Sequence, residues 1–551
     1  MRRHSCFTVQ GKPFFSLGGQ THNSSSYVLA DMPYAFESVR KLGGNTVATP
    51  ICWHTFEPAE GRFNPKYVTD LIDLAREEEM HLVFLWFGSW KNGNMEYTPN
   101  WVKCDRRRFQ RTTCKDGTEL GVLSAHCPEN FEADRKAFVE LMKVLKAHDG
   151  GTQTVIAVQV ENEAGIIGPT ARDFSPFGQA SFAKKVPQLL LDYAKAHPQG
   201  KLYEFWKAAG GKRGGTWTQV FGRFGAEACE AYALSNYING IAAAGKEVYD
   251  LFLYANVWLD GLSHPQTWNN PGINYPSGEA VTRTLDIWYA VADSLDAISP
   301  DNYQAIQSRH REVTDTYANK DKGWPLYVPE SHAAALNASE IFYAVVDKEA
   351  IGYHIFATES TLDPETREVR PAAAPMKRSM HMLTAAWPVL QPAIAGRKAM
   401  TILQQLGENA SLRHFDGWEV LVNYNGPGFA WAGATDYHHR GKEEFREGKG
   451  THDPREEKGR GVLMLGEDGW YYLVGHLIRL FFERPSVDDG SYRISLLSPE
   501  HQSSDMSVLD LTEGHFDEDG NYVVDRVRDG DERHGIWAMW DCGVIRFKME
   551  G

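Results

Sequence analysis

Two stretches of this chain end an apolar run on a carboxylate. Residues 154–160, TVIAVQV, are apolar but for one Gln after Thr154, and they deliver Glu161, Asn162 and Glu163 before stopping at Ala164-Gly165. Leu326-Tyr327-Val328-Pro329 delivers Glu330, Ser331 and His332 in the same way. A short β-branched apolar run closed by turn residues predicts a strand buried on both faces, as a parallel sheet requires. Acids at the ends of such strands are where α/β barrels keep their chemistry. Cleaving a glycosidic bond takes one acid to protonate the leaving oxygen and one carboxylate to stabilise or capture the cationic carbon. Carboxyls roughly 5–5.5 Å apart give retention, and wider pairs give inversion. A single Glu at a strand end is more often a salt-bridge or helix-start acid; a pair at one barrel mouth favours catalysis. Glu163 and Glu330 are therefore the candidate pair. Glu161 shares the face of Glu163 if the strand continues, and would then lie deeper in the barrel as a support.

The surrounding elements must bring those tips together. Residues 14–19, 45–53, 81–87, 154–160, 251–258, 295–298, 325–328 and 350–357 read as eight strands. Helical patterns at 34–42, 67–79, 132–147, 227–246, 279–294 and 307–318 alternate with them. This alternation predicts an α/β fold, a (β/α)8 TIM barrel over residues 1–375. Two insertions lengthen it: an irregular Arg-, Lys- and Pro-rich excursion at 95–130, and about sixty residues after Gly165 with helical pieces at 186–196 and 202–209. The run GGKRGGTW at 210–217 lacks P-loop spacing and reads as a loop. Residues 376–402 read as a helical connector, with the pattern reaching 406. From 403 to 551 short alternating runs at 418–424, 462–465, 470–474, 493–497 and 535–547, set between Gly, Asp and Asn turns, predict a smaller antiparallel β-sandwich domain. Its charged segments at 440–460 and 513–531 read as solvated loops.

At 551 residues the chain is too long for one ordinary core. Its net charge of −15 argues against nucleic acid and anionic membranes as partners. The N-terminus starts basic but has no apolar run of signal-peptide length, and no later segment is long enough to span a bilayer. The expected location is cytoplasmic for the chain as written, or secreted or periplasmic where a signal peptide has been trimmed. Seven cysteines without CxxC pairs or metal-ligand spacing point to reduced thiols. One disulfide among Cys104, Cys114 and Cys127 stays open, because they fall close together. Metal ligands of the His-x-His kind are missing from the strand ends, so no metal and no cofactor is expected.

Trp53, Trp86, Trp90, Trp258, Tyr303 and Phe356 lie at or near predicted tips and suit stacking on the apolar faces of a sugar. Tyr303 is the candidate to hydrogen-bond Glu330. His22, Asn23 and His332 are also tip residues, the histidines more often structural than not. Glu57 is expected to brace the barrel mouth through an ion pair.

These residues resemble a family. Gln159–Gly165, QVENEAG, resembles the QIENEYG-type motif of glycoside hydrolase family 35, the clan A β-galactosidases. Trp53 with Glu57-Pro58-Ala59-Glu60-Gly61-Arg62-Phe63 resembles an element shared by the family 35 and family 42 β-galactosidases. The resemblance covers roughly residues 10–370 and is nearest to bacterial-type members with a compact C-terminal β-domain. It implies Glu163 as acid/base, Glu330 as nucleophile, and Asn162 as the residue that binds the sugar hydroxyl beside the reacting carbon. Many family members carry Ala-Glu-Trp at the third tip, with the acid on galactose; this chain reads Trp86-Phe87-Gly88-Ser89-Trp90-Lys91-Asn92-Gly93 there. Asn92 or Lys91 is then the expected recognition residue.

The expected function is a retaining exo-β-glycosidase, foremost a β-galactosidase acting on oligo- or polysaccharides. An exo-β-glucosidase, a glucosaminidase or a transglycosylase of the same chemistry stays open. A non-catalytic carbohydrate-binding protein is the alternative from another class, and two intact acids count against it. The sandwich is expected to serve as a brace or as the contact of a homodimer.

Overall fold

In the computed structural model, residues 4–261, 269–424, 457–483, 508–533 and 535–550 are described. The expected strands at 493–497 and most of the expected loop at 440–460 lie outside them. Eight parallel strands form a barrel: Ser16–Gln20, Thr46–Cys52, His81–Lys91, Val155–Asn162, Phe252–Val257, Ala297–Asn302, a seventh in two pieces, and Gly352–Phe356. The seventh strand breaks at Pro329, which has no N–H to give a ladder. Tyr327–Val328 pairs with the eighth strand and Glu330–Ser331 with the sixth, so the broken strand is what closes the barrel. The predicted barrel followed by a β-domain is therefore what the chain forms.

The strands are buried on both faces for different reasons. On the third, Val83, Leu85 and Phe87 point into a barrel core with Ile156, Tyr254 and Tyr327, while Leu82, Phe84 and Trp86 pack under the helices. Each barrel strand is followed by a helix: Met32–Leu42, Pro65–Glu77, Pro128–Asp149, Gly225–Val248, Leu285–Val291, Gln307–Tyr317, Ala335–Phe342 and Ala374–Ala395. Below the sheet, Asp296 accepts from the Lys246 ammonium at 2.7 Å and from the N–H groups of Leu253 and His4 at 2.8 and 2.7 Å, with both side chains of the ion pair buried. Removing one partner of such a pair strands a buried charge. Asp296→Ala is expected to cost about 3–5 kcal/mol in urea unfolding, and Asp296→Leu with Lys246→Met to recover most of it. Equal losses in the two proteins would contradict this.

Several elements differ from expectation. The third strand runs on to Lys91, through a bulge that sets Trp86 opposite Val160 but Lys91 opposite Asn162. Gly88 permits it: a Cβ there would meet Trp86 Nε1 at 2.4 Å and Glu161 Oε1 at 2.5 Å. The helix expected at 279–294 is only Leu285–Val291, because Glu279 turns back to accept the Trp258 N–H at 2.7 Å. The excursion at 95–130 contains a hairpin, Arg111–Thr113 with Glu119–Leu123. Cys104, Cys114 and Cys127 are all free thiols.

The connector helix ends at Ala395, and Ala399–Leu403, expected as helix, is a strand. It opens a six-stranded antiparallel sheet that faces a four-stranded one across a second core. Residues 513–531, expected as a solvated loop, include the end of the strand Val508–Phe516 and the whole of Tyr522–Val527. Their charges pair with one another: Glu513 accepts from Arg526 and from the fully buried Arg528. Arg460 is likewise buried, donating to Pro375 O at 2.8 Å and Ser379 Oγ at 2.7 Å on the connector helix. That helix also packs on Met32–Leu42 and Ala335–Phe342, and so ties the β-domain to the barrel. Among the described residues no helix is long and apolar enough to cross a membrane.

Candidate active site

At the C-terminal mouth of the barrel a cavity of about 650 Å³ is lined by Glu163, Glu330, Asp301, Lys91, Asn92 and Tyr303, with Trp258, Ile306 and Phe356 on its apolar side. Four strand tips supply its polar floor. Glu163 follows the fourth strand with φ +41°. Its N–H donates to Asn256 Oδ1 at 2.9 Å, its carbonyl accepts from Gly93 N–H at 3.0 Å, and its carboxyl accepts from the Asn92 amide. Glu330 accepts from Gln20 Nε2 at 2.8 Å and from the Tyr303 hydroxyl at 2.7 Å. The hydrogen bond expected between Tyr303 and Glu330 is present. Two donors aimed at one carboxylate hold it in one rotamer.

Burial, and then the charge of Glu330, push Glu163 up to about 7; Lys91 and the hydrogen bond from Asn92 oppose that rise. Glu163 is thus a carboxylic acid over much of the neutral range, able to give a proton.

Glu161 does not lie beneath Glu163. With φ +65° it breaks the strand alternation, and its carboxyl turns out of the barrel to accept the Trp90 N–H at 2.7 Å beside Asp134 of the Pro128–Asp149 helix. Burial first, then the Asp134 charge, keep it protonated well above the usual carboxylate range. Two residues apart on the sequence, the two acids face different layers.

The other expected site residues divide. Trp258, 37% exposed, and Phe356 border the cavity as expected. Trp53 and Trp90 do not: both are buried in the layer between strands and helices, Trp53 donating to Glu57 at 2.7 Å and Trp90 packed edge-on against Tyr237. Trp86 is buried there as well, its indole on Asp134. The reason is parity: Trp86 falls on the helix-facing side of its strand, and Trp53 starts a short helix that turns back over the layer. Among the described residues Glu57 has no ion pair; its carboxylate accepts from the Trp53 indole and the Gly61 N–H, both at 2.7 Å. Asn92 lines the cavity and donates to Glu163. Asn162 is fully buried beside Glu163, with neither end of its amide bonded among the described residues. His22 bonds Ser360, and His332 packs its ring on Tyr303 at 4.8 Å.

Sequence reasoning missed Asp301 and Asn256. Asp301 pairs in register with Glu330, is 3% exposed, and accepts from Asn256 Nδ2 at 2.7 Å. The signal was available: Asp301 and Tyr303 are two apart at the tip of the sixth strand, on one face.

Comparison with known proteins follows this geometry. Residues 6–211 match the model of glycosyl hydrolases family 35, and residues 376–539 match one described as a domain of unknown function (DUF5597). Beta-galactosidase-1-like protein 3 of Homo sapiens is 30% identical over 193 residues, 34% of this chain and 27% of that protein. The chain thus aligns with little more than a quarter of that relative. Among solved structures, the beta-galactosidase from Bacillus circulans sp. alkalophilus superposes with a TM-score of 0.47 at 12% identity, over 69% of this chain and 57% of that one. The catalytic domain of the beta-amylase from Paenibacillus polymyxa does so at 0.45 and 12%, over 66% and 97%. The family match takes in Lys91, Asn92, Asn162 and Glu163 but not Glu330. Over residues 6–211, this chain is similar to glycosyl hydrolases family 35.

Proposed function

We propose that the chain is a retaining exo-β-glycosidase that removes a terminal sugar, foremost β-D-galactose, by double displacement. The observation that carries this reading is the pairing, in one cavity, of a carboxyl held protonated to about 7 with a second carboxylate clamped by two donors. Glu163 protonates the glycosidic oxygen while Glu330 attacks the anomeric carbon. The deprotonated Glu163 then takes a proton from the water that releases the sugar from Glu330. Asn162 is assigned the sugar hydroxyl beside the reacting carbon, a role supported by a buried amide with no hydrogen bond among the described residues. The cavity has the size of a pocket that encloses one small ligand, which suits a terminal residue better than the interior of a polymer. Trp258 and Ile306 at its rim suit the leaving group.

A screen of aryl β-D-glycosides tests the activity, and proton NMR of the first-formed anomer tests retention. No turnover on any of them, or release of the α-anomer first, would overturn the proposal. Tyr303→Phe removes one hydrogen bond from a charged acceptor and is expected to lower kcat about 10- to 100-fold without shifting the melting temperature. An unchanged kcat would show that Gln20 alone positions Glu330.

A further inference from the structure

The cavity at the barrel mouth holds one charge that acid/base and nucleophile leave unused. Six charged residues line it, and five of them are engaged. Glu163 accepts from Asn92, Glu330 from Gln20 and Tyr303, Asp301 from Asn256 at 2.7 Å, and Asp260 from the Thr282 hydroxyl at 2.7 Å, while Arg309 donates to Glu312 at 3.1 Å. Lys91 is the sixth. It is 5% exposed, and among the described residues its ammonium has neither a hydrogen bond nor an ion pair.

Backbone geometry fixes where that ammonium stands. The bulge in the third strand puts Lys91 in register with Asn162, the residue before Glu163. Its Nζ sits over the ring of Phe87, an inward-facing residue of the barrel core, 5.1 Å from the ring centre. The charge is therefore at the cavity floor, whereas Trp258 and Ile306, 37% and 62% exposed, mark the rim. A ring face attracts a cation but is no substitute for an oxygen on any of its three N–H groups.

We propose that Lys91 is a specificity-determining residue and that the terminal sugar taken by this site carries a negative charge, as the carboxylate of a uronic acid or as a sulfate ester. This rests on the glycosidase reading and narrows it. An ammonium so deeply buried has lost most of its hydration, and a partner of opposite charge at hydrogen-bond distance compensates that loss best. A sugar that fills the floor displaces the water still within reach of Lys91. A neutral sugar puts a hydroxyl oxygen in its place, whereas a carboxylate or sulfate puts a charged acceptor there, whose hydrogen bond is roughly twice as strong. Were the ammonium there to neutralise a carboxyl of the site, it would be paired with one; Glu163, Asp301 and Glu330 are each held by other donors instead.

The test sets the nitrophenyl β-D-galactoside and β-D-glucoside against the corresponding galacturonide, glucuronide and 6-sulfated glycosides, on the full chain. At least one anionic substrate is expected to exceed its neutral counterpart in kcat/KM by about 10-fold or more, and which one does so separates carboxylate from sulfate. Lys91→Met is expected to lose at least about 10-fold more on that substrate than on the neutral one, and Lys91→Arg, which keeps the charge, to retain the preference. Neutral glycosides turned over as fast as their anionic counterparts by the native protein would overturn the proposal, and that comparison needs no variant to fold. Equal losses of Lys91→Met on both kinds of substrate would overturn it too, since a lysine that only balances the carboxyls affects them alike. No turnover of any of these glycosides sinks the glycosidase reading and this inference with it, while turnover of the neutral ones alone sinks only the inference.

Discussion

Glu330→Ala is expected to lose at least ~10³ in turnover of an unactivated β-glycoside, because the proposed nucleophile is removed. Gln20 and Tyr303 would remain, their donors now facing a small void where the carboxylate stood. That void has the dimensions of a small anion. Added azide is therefore expected to restore turnover of activated aryl glycosides and to yield the α-glycosyl azide, since it enters from the face that Glu330 occupied. A β-configured product, or near-native activity without azide, would remove Glu330 from the role of nucleophile.

Glu163→Ala should separate substrates by their leaving group. Natural glycosides need the proton and are expected to lose at least ~10³, while dinitrophenyl glycosides, whose leaving groups need none, should form the glycosyl-enzyme at near-native rate and then stall. Azide would here give the β-glycosyl azide. The pH dependence follows from the direction of the shift. Glu163 is raised to about 7, so the acid form is present below that pH and disappears above it. The native kcat/KM should fall tenfold per unit above about pH 7, and this limb should be absent from Glu163→Ala. A limb that persists in the variant would assign it to another group.

Both predictions concern residues found from strand-end logic, and that logic worked where local pattern decides. The βα alternation, the barrel and the acids at its fourth and seventh tips follow from apolar runs of strand length closed by turn residues, which each segment carries within itself. The same locality explains the errors in the C-terminal part. Glu513, Arg526 and Arg528 read as a solvated charge run because the partners that neutralise them lie across a hairpin, visible only once Val508–Phe516 and Tyr522–Val527 pair.

At the site, the sequence by itself determined which residues arrive at the barrel mouth: Glu163, Glu330, Tyr303, Trp258 and Phe356 line the cavity because strand order and tip position bring them there. Only the tertiary structure decided which way each neighbour turns. A left-handed φ at Glu161 sends one acid of a pair into the helix layer and leaves the other in the cavity. The bulge before Lys91 carries Asn92 onto Glu163, while Trp53 and Trp90 are absorbed into the core. Asp301 joins the acids through its register with Glu330 and through Asn256. Periodicity is a property of neighbours in sequence, whereas backbone sign changes, bulges and cross-strand register are settled by the whole packed barrel, and those are what set the direction of a side chain.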